Sequence, residues 1–386
     1  MSNGMNVAVF CSDVSGAFDK VSTTRLLAKL RAKGVMPLIL KVLESWLLPR
    51  NAHVVVDGEF SRVSTLLNMV FQGTVWGPSL WNAYFEDSRQ PVNSSGFEEV
   101  VYADDLNCFR LFPRSVPRQS ILEAMAECQE ALHTWGAANQ VTFDPAKESM
   151  NIISSTCPHG DPFKVLGIMF DNKLQMGLAV HDTAVAAGWK MRTIMRTWRY
   201  FNTAELVGHF KAHILSYIEY RTPGVYHAAT TVLRELDRIL PNFLRQIGIS
   251  DIEALVHFSL APLSTRRDIA MLGLVHRAVL RQGPSHFFQF FYVDAAPARF
   301  SRRRHNKHLF EWRDGRQSAA IDRSALGLVS VYNLLPQTVV DATSVSDFQH
   351  SLQALVRGRA TSGHPDWPCT LSPRLSILSH PLSRFR

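Results

Sequence analysis

The chain has few cysteines and no long apolar run, and both shortages restrict what it can be. Five cysteines are scattered over 386 residues, and no two form a Cys-x-x-Cys pair. That spacing argues against a disulfide framework and against a structural zinc site. No apolar stretch reaches the roughly 18 residues of a membrane-spanning helix, and the N-terminus lacks the pattern of a secretory signal. We therefore expect an intracellular protein with no membrane partner, and leave nucleus or cytoplasm open.

The sequence also lacks internal repeats and long low-complexity segments. Hydrophobic residues make up 46% of it, which is enough to build a core and argues against wholesale disorder. Its charge is uneven, because residues 1–110 hold 10 basic and 11 acidic side chains, whereas residues 188–316 hold 20 basic and 10 acidic ones. A basic half is either an ordinary solvated surface or a track for a polyanion. Charge alone leaves both readings open.

The first half of the chain alternates strand-type and helix-type segments. Residues 7–10, 100–102 and 107–112 are short apolar runs typical of strands, and residues 122–135 have helical spacing. This order predicts an α+β fold, an antiparallel sheet with helices on one face in a split β-α-β pattern.

After about residue 180 the pattern becomes mostly helical. Residues 165–170 read as one further strand before it, and residues 233–243 as one helix with a kink at Pro241. Residues 360–386 are rich in Ser, Pro and His and predict a loose tail.

Three carboxylates lie where predicted strands end. Asp13 follows the first strand, and Asp104 and Asp105 lie between the next two. If these strands are neighbours, Asp13 and Asp104 meet at one edge of the sheet. Clustered carboxylates repel one another unless cations bind, and hard oxygen ligands suit Mg²⁺ together with substrate phosphates. Each aspartate taken alone would equally fit a turn or a helix cap.

Three segments in a fixed order make the pattern far more specific. They read SDVSGAFDK at Asp13, FQGTVWGPSLWN at Gln72 and VYADDLN at Asp104, with 59 residues from Asp13 to Gln72 and 31 from Gly73 to Asp104. Together they resemble the palm of a reverse transcriptase of the non-LTR (LINE-type) retrotransposon group. The resemblance implies an RNA-directed DNA polymerase that adds deoxynucleoside monophosphates to a primer 3′-hydroxyl by two-metal catalysis.

That resemblance implies partners and metal ligands as well. The partners are an RNA template, a DNA primer and deoxynucleoside triphosphates; the cofactor is Mg²⁺, with Mn²⁺ as its substitute, and no organic cofactor is expected. Asp13 and Asp104 become the main metal ligands, Asp105 a weaker one, and the Val14 carbonyl assists. Lys147, in FDPAKESM, becomes the group that protonates the leaving pyrophosphate.

Further residues receive substrate roles by the same resemblance. Phe18 stacks under the sugar and excludes a 2′-hydroxyl, Tyr102 touches the primer end, and the segment with Gln72, Gly73 and Pro78 meets the incoming nucleotide and template. Ordinary alternatives stay open, namely a core phenylalanine at 18, a strand-core tyrosine at 102 and a solvated loop lysine at 147.

The later chain resembles the primer grip and thumb of the same group. Leu166 and Gly167 match the grip turn, and Arg192, Arg196 and Arg199 form a stripe suited to nucleic-acid phosphates. We expect a palm over 1–178, a helical thumb and connection over 179–295, a basic C-terminal region over 296–358 and the loose tail over 359–386.

The sequence departs from the family pattern before Asp13. Only twelve residues precede it, so we expect the fingers and the endonuclease to be absent and the chain to be a truncated copy. Two alternatives to an active polymerase follow. One is an inactive remnant that only binds nucleic acid, and the other is a product without a stable fold.

Overall fold

The computed structural model describes residues 4–67, 70–294, 305–311 and 319–384. The chain divides into two compact units. The first contains the chain up to Gly167 together with Asp171–Lys173, and the second contains Ile168–Phe170 and the chain from Leu174 onward. Most of the basic stretch 299–316 lies outside the described residues.

The first unit is built around a four-stranded antiparallel sheet. In chain order the strands of the molecule are β1 (Met5–Asp13), β2 (Arg50–Ala52), β3 (Val55–Val56), β4 (Glu59–Phe60), β5 (Ser64–Leu66), β6 (Glu98–Tyr102), β7 (Asp105–Pro113), β8 (Ser149–Ile153), β9 (Phe163–Val165) and β10 (Ile168–Phe170). The main sheet has the order β6-β7-β1-β8. β1 therefore lies inside the sheet between β7 and β8, which explains why its sequence is almost continuously apolar.

Helices cover the sheet and complete the core of the first unit. They are α1 (Thr23–Ala32), α2 (Pro37–Trp46), α3 (Gly77–Phe85), α4 (Arg89–Ser94) and α5 (Arg118–Asn139). The longest, α5, packs against β1. It buries Ile121, Met125, Cys128 and Leu132, three or four residues apart, which is the spacing of one helical face. These side chains join Ala8 and Phe10 of β1 in one apolar cluster.

A small hairpin follows the predicted turn chemistry. β3 and β4 pair across Asp57 and Gly58, which have φ values of 52° and 87°. Positive φ at both central residues is what a type I′ hairpin turn requires, and Asp-Gly is a preferred pair for it.

The second unit is mostly helical. Its helices are α6 (Gly177–Arg196), α7 (Thr203–Phe210), α8 (Ser216–Tyr220), α9 (Thr222–Val225), α10 (Thr230–Asp237), α11 (Ile239–Ile247), α12 (Asp251–Phe258), α13 (Leu263–Val279), α14 (Ala319–Asp322), α15 (Leu328–Tyr332), α16 (Gln337–Val340) and α17 (Val345–Thr361). Two apolar clusters form within it, one centred on α6, α7, α10 and α11 and the other on α13, α15 and α17. The predicted α+β fold with a helical second half is confirmed.

Three local predictions differ from the structure. The single strand over 165–170 is broken by a turn, because Leu166 and Gly167 both have positive φ. The single helix over 233–243 is two helices separated at Arg238, whereas Pro241 sits in the first turn of α11, where its missing N–H costs little. The expected loose tail buries Trp367, Leu371 and Leu382 in the core of the second unit.

Among the described residues, none of the helices combines the length and the apolar character that crossing a bilayer would require.

Candidate active site

Strand register brings the three predicted carboxylates to one end of the main sheet. Asp13 is the last residue of β1 and lies directly opposite Asp105, the first residue of β7. Tyr102 of β6 pairs with Asp105 on its other side. Ala103 and Asp104 are therefore the two-residue loop of the β6–β7 hairpin, and Asp104 is held beside the other two carboxylates by the hairpin itself.

The loop that carries Asp104 is strained and is fastened from two sides. Ala103 has φ 55°, a left-handed conformation that disfavours residues with a Cβ atom. The Trp81 indole donates a hydrogen bond to the Ala103 carbonyl at 2.7 Å, and the Val14 amide donates to the Asp104 carbonyl at 3.3 Å. Trp81 is only 1% exposed, so the loop rests on a rigid part of the core.

Sequence reasoning missed Trp81. Its side chain looks like ordinary core at helical spacing within α3, and indeed it stacks on Phe85. The signal that could have found it is the indole N–H itself, because a buried tryptophan needs an acceptor.

The carboxylates influence one another electrostatically. Burial raises the pKa of Asp105 above its ordinary value, and the neighbouring charges of Asp13 and Asp104 raise it further, while Lys147 lowers it. Like charges held together make ionisation harder unless a cation compensates them. The site is thus arranged to attract positive charge.

Lys147 supplies one such charge. Its ammonium group donates to Asp13 Oδ2 at 2.5 Å and lies 4.0 Å from Asp144 Oδ2. The hydrogen bond to Asp13 raises the pKa of Lys147. The side chain is 61% exposed, yet it faces a catalytic candidate, so a loop lysine surrounded only by solvent does not describe it.

Phe18 lies on the core next to the site. It begins a short 3₁₀ turn after β1, is half-buried, and its ring centroid is 5.4 Å from that of Trp81. Its carbonyl accepts from the Val70 amide at 2.8 Å. The ring is therefore part core and part surface, which combines the two readings that the sequence left open.

The segment after Val70 forms an exposed turn that leads into α3. Gln72 donates to Asp19 Oδ1 at 3.4 Å, and Gly73 has φ 77° with open space where a Cβ would be. Glycine is favoured there by the backbone conformation. Pro78 occupies the first turn of α3, a position that suits proline.

Tyr102 is not a strand-core tyrosine. It is 66% exposed on the edge strand β6, directly before the Ala103-Asp104 loop. Its ring is available at the surface next to the carboxylates.

The remaining predicted residues lie elsewhere in the chain. Leu166 and Gly167 form the turn after β9, with φ 47° and 79°. Arg192 and Arg196 belong to α6, and Arg199 to the 3₁₀ turn that follows it. The Arg192 guanidinium lies 4.4 Å from the Trp189 ring centroid. These arginines belong to the second unit.

Residues 2–170 match the profile of the family described as reverse transcriptase (RNA-dependent DNA polymerase). Over these residues the chain is similar to a reverse transcriptase domain. It is similar to the RNA-directed DNA polymerase from mobile element jockey of Drosophila melanogaster, at 28% identity over 208 residues, covering 48% of this chain and 22% of that protein. The corresponding polymerase of Drosophila funebris is 25% identical over 261 residues, covering 61% of this chain and 28% of that protein.

The family match and these two relatives support the resemblance to a non-LTR retrotransposon reverse transcriptase that the three motifs carry. The chain spans about a quarter of the length of the two jockey polymerases. The family match covers the first unit up to Gly167 and ends at residue 170, so most of the second unit lies outside it. Reverse transcriptases use divalent metal ions. The carboxylates of Asp13, Asp104 and Asp105 are oxygen ligands of the kind that such ions bind.

Proposed function

We propose that the first unit is the catalytic palm of an RNA-directed DNA polymerase that extends a DNA primer on an RNA template. The observation that carries this proposal is the register of β1 and β7, which sets Asp13 opposite Asp105 with Asp104 in the adjoining hairpin loop. The family match supports the same reaction.

The donor set fits Mg²⁺. Among residues 4–67, 70–294, 305–311 and 319–384, no three His, Cys, Asp or Glu side chains converge closely enough to enclose a metal ion. Mg²⁺ does not require such an enclosure, because it is commonly held by one or two carboxylates, with water and substrate phosphates completing the octahedron. Asp13 and Asp104 would be its main ligands, with Asp105 and the Val14 carbonyl assisting.

When bound, Mg²⁺ (or Mn²⁺ in its place) supplies activation of the primer hydroxyl and stabilisation of the pyrophosphate charge. Lys147 holds its proton at Nζ beside Asp13, where it can donate to the leaving pyrophosphate. The half-exposed Phe18 ring next to Trp81 offers a flat apolar surface for a deoxyribose.

A second candidate function rests on the second unit. Arg192 stacks on Trp189, Arg196 and Arg199 follow on the same segment, and the Trp198 and Tyr200 rings are exposed. Basic groups interleaved with exposed aromatic rings bind nucleic acid through phosphates and base stacking. The chain would then bind nucleic acid without extending it.

Primer extension with a matched control distinguishes the two functions. The purified chain is given poly(rA)/oligo(dT), dTTP and Mg²⁺, beside Asp104→Asn and Glu98→Gln. Glu98 is an exposed carboxylate of the same hairpin, paired with Phe109 at the end far from the loop. We expect Asp104→Asn to reduce extension by at least about 100-fold, the scale of a lost transition-state charge contact, and Glu98→Gln to leave it unchanged.

Undiminished extension by Asp104→Asn would contradict the proposed site. Absence of extension in the unmodified chain, together with duplex binding that weakens steeply with salt, would favour the second function. Binding that is insensitive to salt would contradict that one as well.

A further inference from the structure

A buried carboxylate lies directly after Lys147 in the chain, and no role has yet been given to it. The Glu148 side chain is only 7% exposed. It accepts a hydrogen bond from Ser12 Oγ at 2.9 Å and one from Gln129 Nε2 at 2.6 Å. His133 Nε2 lies 2.7 Å from Oε1, the oxygen that Ser12 also contacts, whereas Gln129 contacts Oε2. Three polar partners fix the position of this buried carboxylate, because losing any one of these hydrogen bonds would cost free energy.

These partners connect the two elements that frame the site. Ser12 is the residue before Asp13 on β1, whereas Gln129 and His133 are one turn apart on α5. Glu148 thus ties the end of the strand that carries Asp13 to the longest helix of the first unit.

The same helix also holds the chain on the other side of Lys147. Phe143 forms an isolated β-bridge with Val14, and the His133 ring stacks on the Phe143 ring with centroids 5.4 Å apart and planes inclined by 5°. The Asp144 amide donates to the Asp13 carbonyl at 3.0 Å. His133 therefore contacts residues on both flanks of Lys147.

Lys147 cannot hold its own position. It is mostly exposed, and an exposed ion pair gains little against the rotamer freedom of a long side chain. Lys147 ends a turn in which its amide donates to the Asp144 carbonyl at 3.0 Å, and Glu148 follows it just before β8 begins at Ser149. Anchoring Glu148 inward therefore fixes the end of the turn from which the Lys147 side chain reaches Asp13.

We propose that Glu148, anchored by Gln129 and His133, is a positioning residue that sets the Lys147 ammonium group beside Asp13. The proposal rests on the role of Lys147 under the proposed function. Glu148 acts on the reaction only through Lys147 and touches no substrate.

The kinetic test is a double-mutant cycle in single-nucleotide addition. Glu148→Ala is expected to lower the maximal rate by tenfold to about 100-fold, the cost of misplacing a catalytic group, with an unchanged KM for dTTP. When Lys147 is already alanine, Glu148→Ala should not lower the maximal rate further. Glu130→Ala, at an exposed carboxylate next to Gln129, is the matched control and should match the unmodified chain.

Equal losses from Glu148→Ala with and without Lys147 would overturn the proposal, since Glu148 would then act through the fold alone. If Glu148→Ala fails to fold, Glu148→Gln replaces it. Glutamine can keep its oxygen toward Ser12 and His133, but its N–H₂ group then faces the Gln129 donor, so a smaller loss with the same dependence on Lys147 is expected.

A spectroscopic readout separates this proposal from the polymerase activity. Lysines are labelled by ¹³C reductive methylation, and Lys147→Arg identifies the Lys147 signal. In the unmodified chain that signal should be displaced from the other lysines, and Glu148→Ala or Glu148→Gln should move it toward them, as Asp13→Asn does. A Lys147 signal that does not move in the Glu148 variants would overturn the positioning role. If the signal moves in those variants but the unmodified chain shows no primer extension, the positioning role stands and the proposed function is rejected.

Discussion

Replacing Trp81 by phenylalanine isolates the hydrogen bond that fastens the Ala103-Asp104 loop. Phenylalanine keeps an apolar ring against Phe18 and Phe85 but removes the only side-chain bond that the structure shows to the Ala103 carbonyl within the described residues. The loop would then retain its backbone strain without this support. We expect lower stability and slower nucleotide addition together.

The magnitude can be worked out against a matched control. The bond from Trp81 to Ala103 is part-buried, and losing a typical hydrogen bond costs about 0.5–1.5 kcal/mol. The Trp135 indole N–H is buried without a hydrogen-bond partner among the described residues. Trp135→Phe removes this unsatisfied donor, which alone should raise the free energy of unfolding by about 1–3 kcal/mol. Both substitutions remove the same volume. The free energies of unfolding of the two variants should therefore differ by at least about 1.5 kcal/mol, with Trp81→Phe the less stable.

Urea unfolding followed by far-UV circular dichroism measures this difference without relying on tryptophan fluorescence. Amide hydrogen exchange over β6 and β7 gives the local readout, and we expect faster exchange there in Trp81→Phe only. Equal destabilisation by the two variants, or unchanged exchange in the hairpin, would refute the assignment of this hydrogen bond as the support of the loop.

Three further predictions concern the stability of the two units. Asp268 is fully buried in the second unit and accepts from the Tyr226 hydroxyl at 2.7 Å. Burial raises its pKa to about 7, above the value of about 4 in the unfolded chain. The folded chain therefore keeps this proton up to a higher pH than the unfolded chain does. The stabilisation that this group contributes should be complete below about pH 4 and should be lost as the pH rises through about 7. Asp268→Asn should flatten the melting temperature between about pH 4 and 7, and an unchanged pH profile would exclude this group as the cause. Gly136→Ala places a Cβ 2.7 Å from the Val141 carbonyl oxygen and 2.8 Å from Phe143, so it should destabilise by about 1–3 kcal/mol and slow nucleotide addition. Gly358→Ala, which meets nothing within 4 Å in α17, should instead stabilise by about 0.5–1 kcal/mol, as thermal unfolding can show.

The motifs anticipated the core of the site because they encode local structure. Asp13 and Asp105 each end or begin a strand, so a strand–loop–strand reading of YADD already placed them at one sheet end. The order of the strands then supplied the pairing that the structure shows.

The contacts that support the site could not be read from the sequence. Ser12 and Glu148 are 136 residues apart in the chain, and Trp81 meets Ala103 across 22. Neither pair leaves a periodic trace, because the first depends on the pairing of β1 with β8 and the second on how α3 packs against the β6–β7 hairpin. Periodicity likewise gave the Arg192 stripe on α6, but it carries no information on what faces that stripe.

Turn and end effects account for the local misses. The break at Leu166 requires a left-handed conformation in a residue that seldom adopts it, so the apolar run around it read as one strand. The tail was judged by its Ser, Pro and His content, although Trp367, Leu371 and Leu382 bury enough apolar surface to hold it in place.

The most direct test of the account is to locate the metal on the protein itself. Fe²⁺ is substituted for Mg²⁺, and ascorbate and peroxide then cleave the backbone next to the bound ion. We predict cleavage near Asp13 and near Ala103-Asp104, competed by excess Mg²⁺ and lost in Asp104→Asn but retained in Glu98→Gln. Cleavage confined to other segments, or identical in Asp104→Asn, would contradict a metal-dependent active site at this end of the sheet.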